Sequence, residues 1–379
     1  MINVLLISPR LPQTDHRYAG DNAYTDILLT YPPPGIRYYH YEDLMATGQV
    51  RKIKWLYRTG PRLRRWNVLP PDLWAEYLVS DFVPDLVHIQ GFSAVVRFPK
   101  ARKPVPVVLG TSTGSSSDLR YYLGWSEQRT RRARWRKRQY LRMIDAHDTS
   151  LRPEKAMRIM VWSEFARKLH LEEGYVRPDQ IEVLYPGLPW RGEDHKNRGE
   201  DQGVTFLFVG SNFERKNGPL VLEAFRRVRA KSPNVRLILV GRPADGRQIV
   251  EPGITHHLFL PRQELLERIY PQADVLVLPS KAEGFGLVLL EAMSFGMPVI
   301  GVDGWAMPEV IRHQVNGWLL SQPSVDDLVR YMQVCVDSPE ILITMRQQCK
   351  KIFAQRFSIA QHNHSLRKVY ERIILGQSL

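Results

Sequence analysis

Short apolar runs rich in β-branched residues alternate along the chain with longer segments of helical period. Val4–Ser8, Asp85–Ile89, Val105–Gly110, Arg158–Ser163 and Ile181–Tyr185 form a first set of such runs. Val204–Gly210, Val235–Gly241, His257–Leu260, Asp274–Ser280, Pro298–Val302 and Trp318–Leu320 form a second. The runs are apolar throughout and do not alternate, which predicts parallel strands covered on both faces. Helical patterns between them predict right-handed β-α-β units. The rhythm stops at Trp190–Gly203, a stretch of Gly, Asn and charge, and then restarts. The pattern therefore predicts an α/β chain of two Rossmann-like, doubly wound domains. They cover residues 1–189 and 204–358, with a linker at 190–203 and, in 359–379, a final helix Ile359–Ile374 that packs back on the first domain. Ligands of such sheets sit at the carboxyl ends of the strands.

A chain of 379 residues suits two cores of ordinary size. Its 44% hydrophobic and 24% charged residues exclude a disordered chain. No apolar run reaches the ~20 residues that span a bilayer. Met1–Ser8 lacks a basic leader and reads as a first buried strand. The two cysteines, Cys335 and Cys349, offer no disulfide framework or metal-ligand spacing. A cytoplasmic protein, free or peripheral on the inner face of the membrane, is expected.

Charge changes the picture. The formal net charge is +14, a balance that favours anionic partners. It is concentrated in the first half. Arg51–Arg65 carries seven Lys/Arg and no acid, interleaved with Trp55 and Tyr57. Arg129–Arg142 reads as a basic helix containing Trp135 and Tyr140. On it Arg131, Arg134, Arg138 and Arg142 recur at three- and four-residue steps and are expected to share a face with Trp135. Basic and aromatic residues together suit docking on an anionic membrane. A solvated helix or recognition of an acidic acceptor are the other readings.

The chemistry concentrates in Ala282–Pro298. Gly284 and Gly286 make a loop after an apolar strand, and a helix follows from about Leu287 to Phe295. Free N–H groups at its start form an anion site. Glu283 precedes that helix and Glu291 lies within it. A carboxylate inside an anion site makes sense if it accepts hydrogen bonds from sugar hydroxyls while amides take phosphates. A second cluster is Phe208–Gly218, where Arg215 and Lys216 stand before the next helix. Two cations there would stabilise a departing diphosphate. Asp326–Asp327 reads as charge at a helix start, and no metal site is expected.

These residues resemble the retaining glycosyltransferase family four, of the GT-B fold. Its signature is two glutamates separated by seven residues, here Glu283 and Glu291, supported by Tyr270–Ser280, Gly296–Val299, Pro308–Glu309 and Asn316–Gly317. The resemblance is dense in the second half and thin over the first 80 residues. It implies a metal-independent retaining hexosyltransferase that needs no cofactor. Its donor would be a nucleotide sugar, UDP- or GDP-linked, held by residues 204–358. Its acceptor would be a saccharide or lipid-linked, held by residues 1–189, as in cell-envelope or exopolysaccharide assembly. Glu283, Arg215 and Lys216 would be catalytic. Glu291 would bond the ribose. Phe285, Gly286 and Leu287 would present amides to sugar and diphosphate. Leu260 to Arg262 would line the base pocket, and Gly20 would belong to a diphosphate loop. Two departures stand out. Ser211 occupies the place of an arginine common in the family, so that the Arg215–Lys216 arrangement is more similar to lipopolysaccharide-core glucosyltransferases. Thr111–Ser115 also lacks the histidine that many members carry after that strand, while His88 reads as a core residue.

Other classes fit less well. An epimerase or phosphorylase of the same fold is an alternative, but a pyridoxal lysine and the longer chain of glucan phosphorylases are not visible. A nucleic-acid-binding protein would need a recognition helix or stacking sheet, and none is evident. An inactive scaffold would not need Glu283, Glu291 and Lys216 together.

Overall fold

The computed structural model describes residues 1–15, 20–53, 75–91, 93–113, 124–149, 151–192 and 203–376. Most of Arg51–Arg65 and most of the expected linker lie outside them. The chain divides into two compact units. One comprises Met1–Arg10, Ala19–Tyr185 and His362–Leu379, the other Leu11–Tyr18 and Pro186–Gln361.

In the first unit the strands are β1 (Ile2–Ile7), β2 (Ile36–His40), β3 (Val50–Lys52), β4 (Ala75–Ser80), β5 (Leu86–Gln90), β6 (Ser93–Arg97), β7 (Val107–Thr111), β8 (His147–Asp148), β9 (Arg158–Val161) and β10 (Ile181–Val183). A six-stranded sheet runs β10-β9-β7-β5-β1-β2, with every neighbour parallel. Val4, Leu5, Leu6 and Ile7 are fully buried, as continuous apolar runs require. The sequence pattern missed β2, an edge strand with one aliphatic residue and an exposed Arg37. It also missed a small mixed sheet, β3-β4-β6-β8, whose strands are only two to six residues long.

The terminal helix Ile359–Ile374 has the expected bounds, and from His362 onward it belongs to the first unit. His362, Leu366, Val369, Tyr370 and Ile373 are its buried residues, a single face at helical spacing. Its polar contacts are specific. His362 Nδ1–H donates to the Tyr185 carbonyl at 2.8 Å, so Nε2 accepts from the Tyr24 hydroxyl at 3.1 Å. Tyr370 Oη meets His88 Nδ1 at 2.8 Å and Tyr38 Oη at 3.1 Å. Arg372 forks Glu182 at 2.7 and 2.8 Å. His88 is thus a core histidine, as its sequence setting suggests.

In the second unit the strands are β11 (Thr205–Val209), β12 (Arg236–Val240), β13 (Ile254–His257), β14 (Val275–Val277), β15 (Val299–Val302) and β16 (Gly317–Leu320). The sheet order β13-β12-β11-β14-β15-β16 reverses direction between β11 and β14. That is the doubly wound order, and its switch point opens a crevice for ligands. The run expected at His257–Leu260 is displaced: the strand is Ile254–His257, because Leu237–Val240 pair with Ile254–His257. Its end is fixed by His256, whose Nδ1 accepts from Ile249 N–H and whose Nε2–H donates to the Gly241 carbonyl, both at 2.8 Å. The helix Val325–Asp337 begins as expected at Asp326 and Asp327, with Ser324 as its cap.

Candidate active site

The loops that leave β11 and β14 meet at the switch point of the second sheet. After β11, Asn217 adopts φ +59 and opens the helix Gly218–Lys231, which has no side-chain cap. Asn217 Nδ2 donates to the Pro279 carbonyl at 2.7 Å. Lys281 N–H donates to the Arg215 carbonyl at 2.9 Å. The Arg215 guanidinium donates to the Ala282 carbonyl. Three bonds therefore stitch the two loops together.

This stitching brings Glu283, Arg215 and Lys216 together. Glu283 Oε2 lies 3.5 Å from Lys216 Nζ, 3.8 Å from Arg215 and 3.5 Å from Ser280 Oγ. The three charged side chains are 10%, 12% and 15% exposed for Glu283, Lys216 and Arg215. Two cations and one carboxylate leave the cluster with one net positive charge in a nearly water-free setting. Such a charge acts on an anion far more strongly than it would in water. Gly286 follows at φ +80, a conformation that favours glycine. A Cβ there would come 3.0 Å from Glu283 Cγ. The helix Leu287–Ser294 starts at Gly286, also without a side-chain cap. Its first N–H groups are thus oriented as an anion-binding end. Phe285 and Leu287 are buried on either side.

Glu291, in the second turn of that helix, is held at both oxygens. Arg262 Nε donates to Oε1 at 2.6 Å and the Tyr270 hydroxyl to Oε2 at 2.9 Å. Arg262, expected to line a base pocket, pairs with Glu291. Leu260 is half-buried and stands beyond β13, since that strand ends at His257. Gly20 opens the helix Gly20–Thr30 of the first unit and is exposed. Beside it, Asp21 accepts from Gln90 Nε2 at 3.1 Å, and burial raises its pKa. Sequence reasoning gave no role to Tyr270 or Asn217. Tyr270 stands within a family-like stretch, but nothing local says that its hydroxyl reaches a glutamate 21 residues on. Among the described residues, no group of three or more His, Cys, Asp or Glu is placed to hold a metal ion.

Known proteins agree with this architecture. Residues 191–355, within the second unit, match the family model of glycosyl transferases group 1. The D-inositol 3-phosphate glycosyltransferase of Rhodococcus erythropolis is 30% identical over 216 residues, 51% of this chain and 48% of that protein. An uncharacterized glycosyltransferase of Haemophilus influenzae is 25% identical over 158 residues, 39% of this chain and 44% of that protein. The chain thus spans about half the length of these curated relatives. Among solved structures, Anabaena HepE in complex with UDP and glucose superposes with a TM-score of 0.60 at 16% identity, covering 98% of this chain and 100% of that one. WaaG, a glycosyltransferase involved in lipopolysaccharide biosynthesis, superposes with a TM-score of 0.61 at 14% identity, covering 99% and 100%. The fold is the two-domain α/β class GT-B.

Proposed function

We propose that this protein is a retaining, metal-independent hexosyltransferase. It moves a sugar from a UDP- or GDP-linked donor to a saccharide or lipid-linked acceptor, in cell-envelope or exopolysaccharide assembly. The observation that carries the reading is the convergence of Glu283, Lys216 and Arg215 at the switch point of the second sheet, with Glu291 on the next helix. In this reading the two uncapped helix ends and the two cations receive the diphosphate, and Glu283 accepts from sugar hydroxyls. The HepE complex with UDP and glucose supports a donor of that chemistry. Glu283 is already paired with two cations, which makes it a poor nucleophile. Attack on the face of the leaving group follows, with the departing phosphate as base toward the acceptor hydroxyl and charge stabilised by Lys216 and Arg215.

Thermal-shift and calorimetric titration with UDP-glucose, UDP-galactose, GDP-mannose and the free diphosphates tests the reading. A ligand that binds only the folded chain at a hundred times its Kd should add about 2.7 kcal/mol of stability. A chain that binds no nucleotide sugar or nucleoside diphosphate at millimolar concentration sinks it.

We also propose that the first unit docks peripherally on anionic lipid from the cytoplasmic side. The basic helix, Glu127–Met143, has a different outward face from the expected one. Arg134 pairs with Glu173 at 2.8 Å, and Arg138 with Glu154 at 2.9 Å, and both are largely buried. These two arginines serve packing. Arg129, Arg132, Trp135, Arg136, Arg142 and Met143 are exposed instead, Trp135 at 63% and Met143 at 72%. They fall on one side of the helix, as basic and apolar groups of an interfacial surface should. No helix among the described residues is long and apolar enough to cross a membrane. Each cation near an anionic surface contributes about 1 kcal/mol. A variant with Arg132, Arg136 and Arg142 changed to glutamine and Trp135 to alanine should therefore lose sedimentation with phosphatidylserine vesicles at low salt. Its affinity for nucleotide should be unchanged. Equal sedimentation of variant and wild type rules the surface out.

A further inference from the structure

The amino ends of β11, β12 and β13 surround an open cavity of about 550 Å³ in the second unit. The loops of the candidate active site leave the carboxyl ends of the same sheet, and a five-residue strand such as β11 spans about 17 Å. Thr205, Arg229, Asn234, Arg236, Thr255 and Gln272 line the cavity, and none of the described residues around it is Asp or Glu. The nearby acids are already engaged. Glu251 accepts from Arg226 at both oxygens, at 2.6 and 2.9 Å. Asp274 accepts from Thr205 N–H at 2.8 Å. Among the described residues, neither Arg229 nor Arg236 forms an ion pair. Arg229 is half-buried and fixed in direction. Its Nη1 donates to the Val235 carbonyl at 2.6 Å. Its guanidinium lies on Gly253, at φ +79, where a Cβ would overlap it. A cation withdrawn from water is ordinarily answered by a counter-charge.

We propose that this cavity is a second anion site, which takes a phosphate dianion, free or as the ester of a small metabolite. Two guanidinium groups match the charge of a phosphate monoester, roughly −1.5 to −2 at neutral pH. Each guanidinium can fork two phosphate oxygens. The Thr255 hydroxyl and the Asn234 and Gln272 amides supply neutral donors beside them. The volume leaves room for a small organic group next to the phosphate. Gly253 has a role in this site: only a residue without a side chain lets the Arg229 guanidinium occupy the cavity wall. The site is independent of the donor reading, because it shares no residue with the cluster around Glu283.

Calorimetric titration of the full chain at low salt with inorganic phosphate, glycerol phosphate and ribose phosphate tests this. The variants are Arg229→Gln, Arg236→Gln, Gly253→Ala and Lys216→Ala. The wild type should bind at least one of the three anions and neither neutral glycerol nor neutral ribose. Arg229→Gln and Arg236→Gln should each weaken that binding by about 10- to 100-fold, the worth of a hydrogen bond to a charged group. Gly253→Ala keeps the net charge but displaces the Arg229 guanidinium, and should weaken binding as Arg229→Gln does. Lys216→Ala should retain it. Tighter binding of an ester identifies a metabolite as the ligand and equal binding identifies free phosphate; both uphold the site. A wild type that binds none of the three at millimolar concentration overturns it. So does binding that Lys216→Ala abolishes and Arg236→Gln leaves unchanged, which would put the phosphate in the candidate active site. Arg236 is exposed, so Arg236→Gln carries the test should Arg229→Gln or Gly253→Ala fail to fold.

Discussion

Replacing Lys216 with alanine should slow turnover of the bound donor by about 10²–10³-fold, the loss seen when one preorganised donor to a developing anion is removed. Lys216 Nζ lies 3.5 Å from Glu283 and is 12% exposed, so its charge acts in a setting that water screens little. Glu283→Gln should separate binding from chemistry. The nucleotide should still bind, while transfer falls steeply, since an amide accepts less strongly from sugar hydroxyls and no longer answers the two cations. Both rates can be read without an acceptor, as release of nucleoside diphosphate by slow hydrolysis of the donor. Chelator should leave the wild type unaffected. Turnover of Lys216→Ala within twofold of wild type would remove Lys216 from the site, and activity restored only by Mg²⁺ or Mn²⁺ would end the metal-free mechanism.

The protein should lose stability steeply as pH falls from about 6.5 towards 4. Burial pushes His88 down to about 3 and His362 down to about 4, both inside the first unit. Burial likewise pushes His40 and His147 down to about 4. A histidine that folding keeps neutral takes up its proton only on unfolding. The unfolded chain then binds more protons over the window between the two pKa values, and stability rises with pH there. The full contribution is present above the unfolded value of 6.5 and declines towards the folded one. Each fully neutral histidine gives a slope of about 1.4 kcal/mol per pH unit. His88 and His362 together thus give a slope of roughly 3 kcal/mol per pH unit, against a typical total of about 5–15 kcal/mol. Asp21, whose pKa burial raises, opposes this, because the folded state then holds its proton more tightly than the unfolded one. Urea unfolding at pH 7.5, 6.0, 5.0 and 4.5 should show the midpoint moving steadily down. A midpoint constant from pH 7.5 to 5.0 would contradict the buried, neutral state of these histidines.

The core of this protein is written in local sequence. Val4–Ile7, Leu207–Phe208 and Leu276–Val277 are apolar because both sheet faces are covered, so periodicity alone finds them. The helix bounds Ile359–Ile374 were legible because one apolar face recurs at helical spacing. The residues of the candidate site were legible too, for Glu283, Glu291, Arg215 and Lys216 stand in loop and helix settings where charge has no packing role. Their partnerships were not. Arg262 and Glu291 are 29 residues apart and Arg215 and Ala282 are 67 apart, and no periodicity links positions so distant. The basic helix shows the same limit. Its spacing allowed Arg134 and Arg138 to face outward, and only Glu173 and Glu154, supplied by later segments, turned them in. Near neighbours along the chain are enough to set most strands of the two large sheets, the terminal helix and the residue types that carry the chemistry. The tertiary structure alone decided which charges meet, which histidines are sealed from protons and which face of the basic helix remains exposed, because each depends on what the other strands and helices place beside it.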